Sequence, residues 1–323
     1  MTAGAVPRIG TRGSTLALWQ TERIRRLLDD AGHPTERIEI KTTGDIVTDV
    51  PLARIGSTAL FTRQIDEAML AGRIDLAVHS LKDLPTTLPP GIAIAAIGER
   101  EDPSDALVAR GQMRWRDLPK GATVATSSLR RRAQLLQARS DLRIEDVRGN
   151  VDTRLAKLDR TDHWSAVLLA SAGLLRLGLE ARISERLSPE VMLPAPGQGA
   201  LAVTARAEDA GTIAAVRAAV HHGPSAVATS AERALLRRLE GGCQVPVAAL
   251  ATLDSQGSTL RLRGRVVSLN GERMVEGEDI RAVQSLEEAE ALGAALAERL
   301  LGEGADGILT EARAGVGPVV SEP

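Results

Sequence analysis

From Arg8 to Ala205 the chain alternates short apolar runs with stretches whose apolar residues recur at helical spacing, the rhythm of strands and helices taken in turn. Arg8 to Ser14 reads as a strand and turn. A helix follows, with Ser14 as N-cap and Gly32 as its stop, carrying Ala17, Ile24, Leu27, Leu28 and Ala31 on one face and Arg23, Arg25 and Arg26 on a solvated one. Ile38 to Ile40 predicts a second strand, and Lys41 to Ala59, rich in Gly, Thr and Asp, a long and mobile loop. Phe61 to Ala71 then predicts a helix burying Ile65, Ala68 and Met69, leading into a strand over Asp75 to Val78. The polar break Glu101 to Asp105 marks a crossing into a second unit, with strands at Thr123–Ala125, Ile144–Val147 and Ala166–Ala170. Met192 to Ala200 cannot be regular structure through its prolines, and Leu201 to Ala205 reads as a strand on a return crossing. In the last third, Ser230 is expected to cap a helix over Ala231–Glu240 that ends at Gly241 and Gly242. Alternation at Leu260, Leu262 and Val266 and a strand near Met274 predict a sheet, and Ser285-Leu-Glu-Glu288 is a capping box opening a long final helix.

The chemistry sits where strands stop. The apolar run ahead of His79, Ser80, Lys82 and Asp83 delivers polar groups to a strand's C-terminal end, where open α/β sheets collect ligands. Locally this reads either as a surface turn with a Lys–Asp pair or as a site with Asp83 as its acid. Arg12 stands before a helix N-terminus, whose free N–H groups attract anions. Thr126, Ser127 and Ser128 open a helix ahead of Arg130 and Arg131, which is either an anion site or an N-cap beside solvated arginines. Arg148 and Gly149 lie at a third strand exit, with Arg154 further along the next helix. So many guanidinium groups near strand ends suggest a ligand bearing several carboxylates or phosphates. Cys243 falls in a glycine hinge, where an inert thiol is the plainer reading, and the adjacent His221 and His222 lack further ligands at metal-site spacing.

Composition narrows the class. A formal net charge of −2, one Phe, three Trp and no Tyr argue against a nucleic-acid partner. No apolar run approaches membrane-spanning length, no signal core opens the chain, and one Cys cannot form an internal disulfide. A soluble cytoplasmic protein of two or three domains is expected from 323 residues.

Taken in order, the motifs Ile9-Gly-Thr-Arg-Gly-Ser14, Val78-His-Ser-Leu-Lys-Asp-Leu-Pro85, Glu99-Arg-Glu-Asp-Pro103, Thr126-Ser-Ser-Leu-Arg-Arg131, Arg148-Gly-Asn150, Leu193-Pro-Ala-Pro-Gly-Gln-Gly-Ala200 and Leu239-Glu-Gly-Gly-Cys-Gln-Val-Pro246 resemble the porphobilinogen deaminases from end to end. The resemblance implies an α/β chain of three parts: two periplasmic-binding-protein-like domains with mixed sheets flanking a cleft, and a small α/β C-terminal domain. The division expected is residues 1–99 with 200–218, 100–199, and 219–323. It implies a dipyrromethane cofactor attached to Cys243 by a thioether, onto which four porphobilinogen units are joined with loss of ammonia before hydroxymethylbilane is released. By the same resemblance Asp83 is the catalytic acid. Lys82, Ser80, Thr126, Ser128, Arg130, Arg131, Arg148 and Gly149 bind the cofactor, and Arg12, Ser14, Phe61, Arg154, Arg176 and Gln198 bind substrate. A monomer without metal, nucleic-acid or membrane partners is implied too. The chain departs from the family at Gly56-Ser-Thr-Ala59, where many members have a glycine–lysine loop, which puts that loop's lysine contact in doubt. The alternative is a non-catalytic anion-binding protein of the same fold.

Overall fold

The computed structural model describes residues 6–42, 62–239 and 245–315. Phe61, Cys243 and the stretch 56–59 lie outside the described residues, as does all of the expected long loop beyond Thr42.

Strand β3 (Leu76–Ser80) shows why its sequence is apolar without interruption. Successive residues face opposite sides of a sheet. Leu76 and Val78 pack with Ile24 and Leu28 of helix α1 (Thr15–Asp30), while Ala77 packs with Ile65 and Met69 of α2 (Arg63–Leu70) on the other face. β3 runs parallel to β1 (Arg8–Thr11), which runs parallel to β2 (Glu36–Glu39). β10 (Leu201–Arg206) lies antiparallel between β3 and β4 (Ile92–Ile97), giving the order β2-β1-β3-β10-β4.

The second sheet repeats this plan. β6 (Thr123–Ala125) is parallel to β7 (Arg143–Glu145) and to β8 (Trp164–Ala170), and β5 (Asp105–Ala109) lies antiparallel between β8 and β9 (Glu185–Arg186). Leu107 and Leu168 fill one side of it, Val108 and Val167 the other. Helices α3 (Leu129–Ala138), α4 (Val151–Arg160) and α5 (Ser171–Arg176) follow β6, β7 and β8. After α6 (Ala210–Val220) and α7 (Gly223–Arg238), the antiparallel meander β11 (Val247–Leu253), β12 (Thr259–Val267), β13 (Met274–Ala282) packs under α7 and α8 (Leu286–Leu300). The expected α/β architecture, two mixed sheets and a small α/β unit at the C-terminal end, is the one observed. No helix among the described residues is long and apolar enough to cross a membrane.

Several boundaries differ from the sequence reading: the strand expected at Ile144–Val147 is Arg143–Glu145, the one at Ile38–Ile40 is Glu36–Glu39, the one at Ala166–Ala170 starts at Trp164, and two more concern the ends of β3 and α7. β3 continues through His79 and Ser80, so both belong to the strand. The helix expected to start at Ser230 begins at Gly223, because His222 caps it, accepting from the Ser225 N–H, and a proline occupies its first turn. Ser230 lies in mid-helix. The capping box at Ser285 forms, with Ser285 Oγ accepting from the Glu288 N–H at 3.2 Å and Glu288 accepting from the Gln284 N–H at 2.6 Å.

The chain crosses between the first two sheets twice, and the crossings bond to each other. Gly98 N–H donates to Leu201 O at 2.9 Å, and Glu101 N–H to Gly199 O at 3.1 Å. Gly199 has φ +89°, and a Cβ there would stand 2.3 Å from Glu101 O, so the approach requires glycine. The third unit is pinned to this ribbon by Glu232 of α7. Its fully buried carboxylate accepts from Arg100 Nη1 and Nη2 (2.7 and 3.0 Å) and from the N–H groups of Gly197 and Ala251 (both 2.7 Å). Arg100→Ala leaves that carboxylate without its counter-ion, and equilibrium urea unfolding is expected to show a loss of about 3–5 kcal/mol.

Candidate active site

The C-terminal edge of the parallel strands in each sheet carries the polar residues, and the two edges are turned toward one another. From the first sheet, β1 leads to Arg12 and Ser14, and β3 leads through the 3-10 turn Leu81–Asp83 to Lys82 and Asp83. From the second, β6 leads to Thr126 and Ser128, β7 to Arg148 and Gly149, and β8 to Arg176. Charges couple across the gap. Loss of solvent lowers the Lys82 ammonium to about 8, with Asp83 and Asp105 opposing the fall and Arg131 and Arg130 adding to it. Burial likewise takes Arg154 to about 10, Arg131 and Arg148 pressing it down and Asp83 holding it up.

The hydroxyls are placed by local structure. Ser14 Oγ accepts from the Ala17 N–H at 3.3 Å and Ser128 Oγ from the Arg131 N–H at 3.4 Å, so each caps a helix while keeping its own O–H to donate to an anion. Thr126 Oγ1 accepts from the Ser128 N–H, and Ser127 bonds Val147 at both its N–H and its carbonyl, clipping the loop to the end of β7. Ser80 Oγ accepts from Gln20 Nε2 at 2.9 Å. Gly149 has φ +110°, and a Cβ there would meet Thr153 Cγ2 at 2.6 Å. Its carbonyl, aimed by that turn, accepts from Arg154 Nε at 2.8 Å.

Four of the expected ligand-binding residues prove to have demanding internal work. Arg130 and Arg131 are buried rather than solvated, and both bond Asp105, which has no exposed surface. Burial alone would raise the Asp105 carboxyl, yet the two guanidiniums hold it far below the usual carboxylate range. Gln198 is fully buried between Asp105 and Lys82, at 3.1 Å from each. Arg176 donates to Gly199 O at 2.6 Å and lies over the Trp19 ring, tying α5 to α1 and to the crossing.

Sequence reasoning passed over Asp105 and left His79 without a role. Asp105 precedes the apolar run Ala106–Ala109 as Asp75 precedes Leu76–Val78, which was the available signal. His79 is buried against Thr204 Oγ1 at 3.1 Å, and desolvation, helped by Arg12, takes it from 6.5 to about 4. Between those values the unfolded chain binds a proton that the folded chain refuses. Stability should therefore fall as pH drops from about 6.5 toward about 4, by roughly 1.4 kcal/mol per pH unit for this one group. Denaturant titrations across that range are expected to show a shallower fall in His79→Gln.

The cation set fits a ligand with several carboxylates. Burial disfavours the charged forms of Lys82 and Arg154, and neighbouring guanidiniums, Arg131 beside both and Arg148 beside Arg154, add to it, a cost that bound anions offset.

The comparisons with known proteins agree across the chain. A family model described as "Porphobilinogen deaminase, dipyromethane cofactor binding domain" matches residues 7–214, and one described as "Porphobilinogen deaminase, C-terminal domain" matches residues 226–302. A porphobilinogen deaminase of Geobacter metallireducens is 49% identical over 306 residues, covering 94% of both chains. One from Moorella thermoacetica is 50% identical over 309 residues, covering 95% of this chain and 96% of that one. Among solved structures, the methionine-binding protein MetQ aligns with a TM-score of 0.42 at 13% identity, over 66% of this chain and 89% of that one.

Proposed function

The chain belongs to the porphobilinogen deaminase family, and from that premise we propose that it joins four molecules of porphobilinogen onto a dipyrromethane, releasing one ammonia from each, and frees hydroxymethylbilane by hydrolysis. The observation that carries this reading is the meeting of Asp83 with Lys82, Arg131 and Arg154 between two facing sheet edges. When bound through the Cys243 sulfur, dipyrromethane would supply the free pyrrole carbon that takes the first unit and so primes the growing chain.

The residues of this chain have separable tasks. Each incoming pyrrole carries an acetate and a propionate. Arg12, Arg148, Arg154 and Arg176, with the hydroxyl of Ser14, offer these carboxylates charge-assisted bonds, and the family resemblance adds Phe61 to the substrate-binding set. Arg130 and Arg131, with Lys82, Ser80, Thr126, Ser128 and Gly149, hold the cofactor's carboxylates. Expulsion of ammonia leaves a cationic methylene-pyrrolenine, and Asp83 faces that charge and guides the pyrrole proton away once the new carbon–carbon bond has formed. Gln198 keeps the amide contact between the two edges. The family, together with a net charge of −2, supports a cytoplasmic monomer acting on a small substrate rather than on nucleic acid. The organisation we favour is residues 1–99 with 200–218, 100–199, and 219–323 as three domains.

Incubating the purified protein with porphobilinogen is expected to release one ammonia per molecule consumed and one hydroxymethylbilane per four. Saturable binding of porphobilinogen without ammonia would overturn the enzyme reading and favour the anion-binding one.

A further inference from the structure

Asp105 opens β5 in complete burial and is the point on which two guanidiniums and an amide converge. Its Oδ1 accepts from Arg131 Nη2 (2.7 Å), Arg131 Nε (2.9 Å), Gln198 Nε2 (3.1 Å) and Arg130 Nη2 (3.2 Å), and its Oδ2 from Arg130 Nη1 (2.7 Å). Each arginine is also fixed to a main-chain carbonyl, Arg130 to Leu193 O at 2.8 Å and Arg131 to Leu168 O at 3.0 Å. Two neighbouring guanidiniums repel one another and resist burial, so a shared carboxylate is what allows them to stand side by side. Gln198 extends the arrangement. Its Nε2 donates to Asp105, Pro103 O and Ser104 O, which leaves its oxygen to accept from Lys82 Nζ at 3.1 Å. A continuous chain of bonds therefore runs from the arginine pair on the second sheet to the residue beside Asp83 on the first.

We propose that Asp105 is a positioning residue for this reaction. It aims the Arg130–Arg131 pair at the carboxylates of dipyrromethane and, through Gln198, holds Lys82 in step with that pair. The inference rests on the family reading given above. It differs from a merely structural role in what it does to Lys82. The charged groups facing Lys82 are Asp83 and Asp105, which favour the ammonium, and Arg130 and Arg131, which oppose it. Removing Asp105, or the Gln198 oxygen that accepts from the ammonium, makes Lys82 give up its proton at lower pH, and with it the contact to a ligand carboxylate.

The test uses Asp105→Asn and Gln198→Leu, each treated with porphobilinogen and followed by intact mass and by the pH profile of kcat/KM. Asp105→Asn should carry the added two-pyrrole mass in roughly a tenth of its molecules or fewer, the order expected when a partner that orients a binding group is lost. Gln198→Leu should keep that mass, yet the alkaline limb of its kcat/KM profile should move to lower pH by about half a unit or more. Should Asp105→Asn fail to fold, the Gln198→Leu profile decides. A soluble Asp105→Asn with wild-type pyrrole mass, or a Gln198→Leu with the wild-type alkaline limb, overturns the proposal. A wild-type protein showing neither pyrrole mass nor product would overturn the family function itself, whereas a wild type with both beside unchanged variants overturns only the Asp105 assignment.

Discussion

Asp83→Asn is expected to fold as the wild type does and to lose nearly all turnover. Asp83 is half-buried at the end of a short 3-10 turn, outside the clusters of buried apolar residues, so the change removes a charge without opening a core cavity. Thermal melting should accordingly move little. The loss in rate follows from electrostatics: a carboxylate about 4 Å from a developing cation, at an effective dielectric near 20, is worth about 4 kcal/mol. That is roughly three powers of ten in kcat. Asparagine keeps the shape and an acceptor oxygen but neither the charge nor a basic site for the pyrrole proton. Single-turnover measurements of ammonia release should show the defect in the chemical step, with the cofactor still in place. Activity in Asp83→Asn within about tenfold of wild type would remove Asp83 from the catalytic role.

The other large effect is expected at Cys243. A thioether survives a reducing cytoplasm where a disulfide does not. The wild-type protein should therefore be heavier than its sequence by a two-pyrrole unit, resist thiol reductants and react with a pyrrole-specific aldehyde dye. Cys243→Ala should lose the added mass and the dye reaction and make no product. It should also melt at lower temperature, because buried Lys82 and Arg154 would lose ligand carboxylates that favour their charged forms, and because a ligand that binds only the folded chain stabilises it. A wild-type mass equal to the bare sequence, in a preparation that forms hydroxymethylbilane, would show that the primer is held elsewhere.

Much of the fold could be read from local pattern, because strands such as Leu76–Ser80 and Asp105–Ala109 are covered on both faces and so carry unbroken apolar runs. Helix α7 was misread at its start because a histidine cap followed by proline is a quieter signal than the hydroxyl of Ser230. Asp83 and Lys82 were legible as polar residues at the end of a buried strand. Arg130 and Arg131 were legible as a basic pair at a helix start, but not as a buried one. Their counter-ion lies 25 and 26 positions upstream, on a strand that pairs with β8 and β9 rather than with the strand preceding their helix. Ionic partnerships set by sheet order leave no mark on neighbouring residues. For the same reason Gln198, in a proline-rich segment, gave no hint that it would bridge Asp105 and Lys82.

The paired crossings between the first two sheets have a kinematic consequence. A single tether would leave two bodies free to swivel as well as to open. Two backbones bonded to each other at Gly98–Leu201 and Glu101–Gly199 form a short ribbon, which bends about one axis and resists torsion. Motion of one sheet against the other is thereby reduced to something close to a single degree of freedom. Were the opposed edges to part to admit a longer oligomer, such a ribbon would bring Asp83 back toward the same arginines on closing.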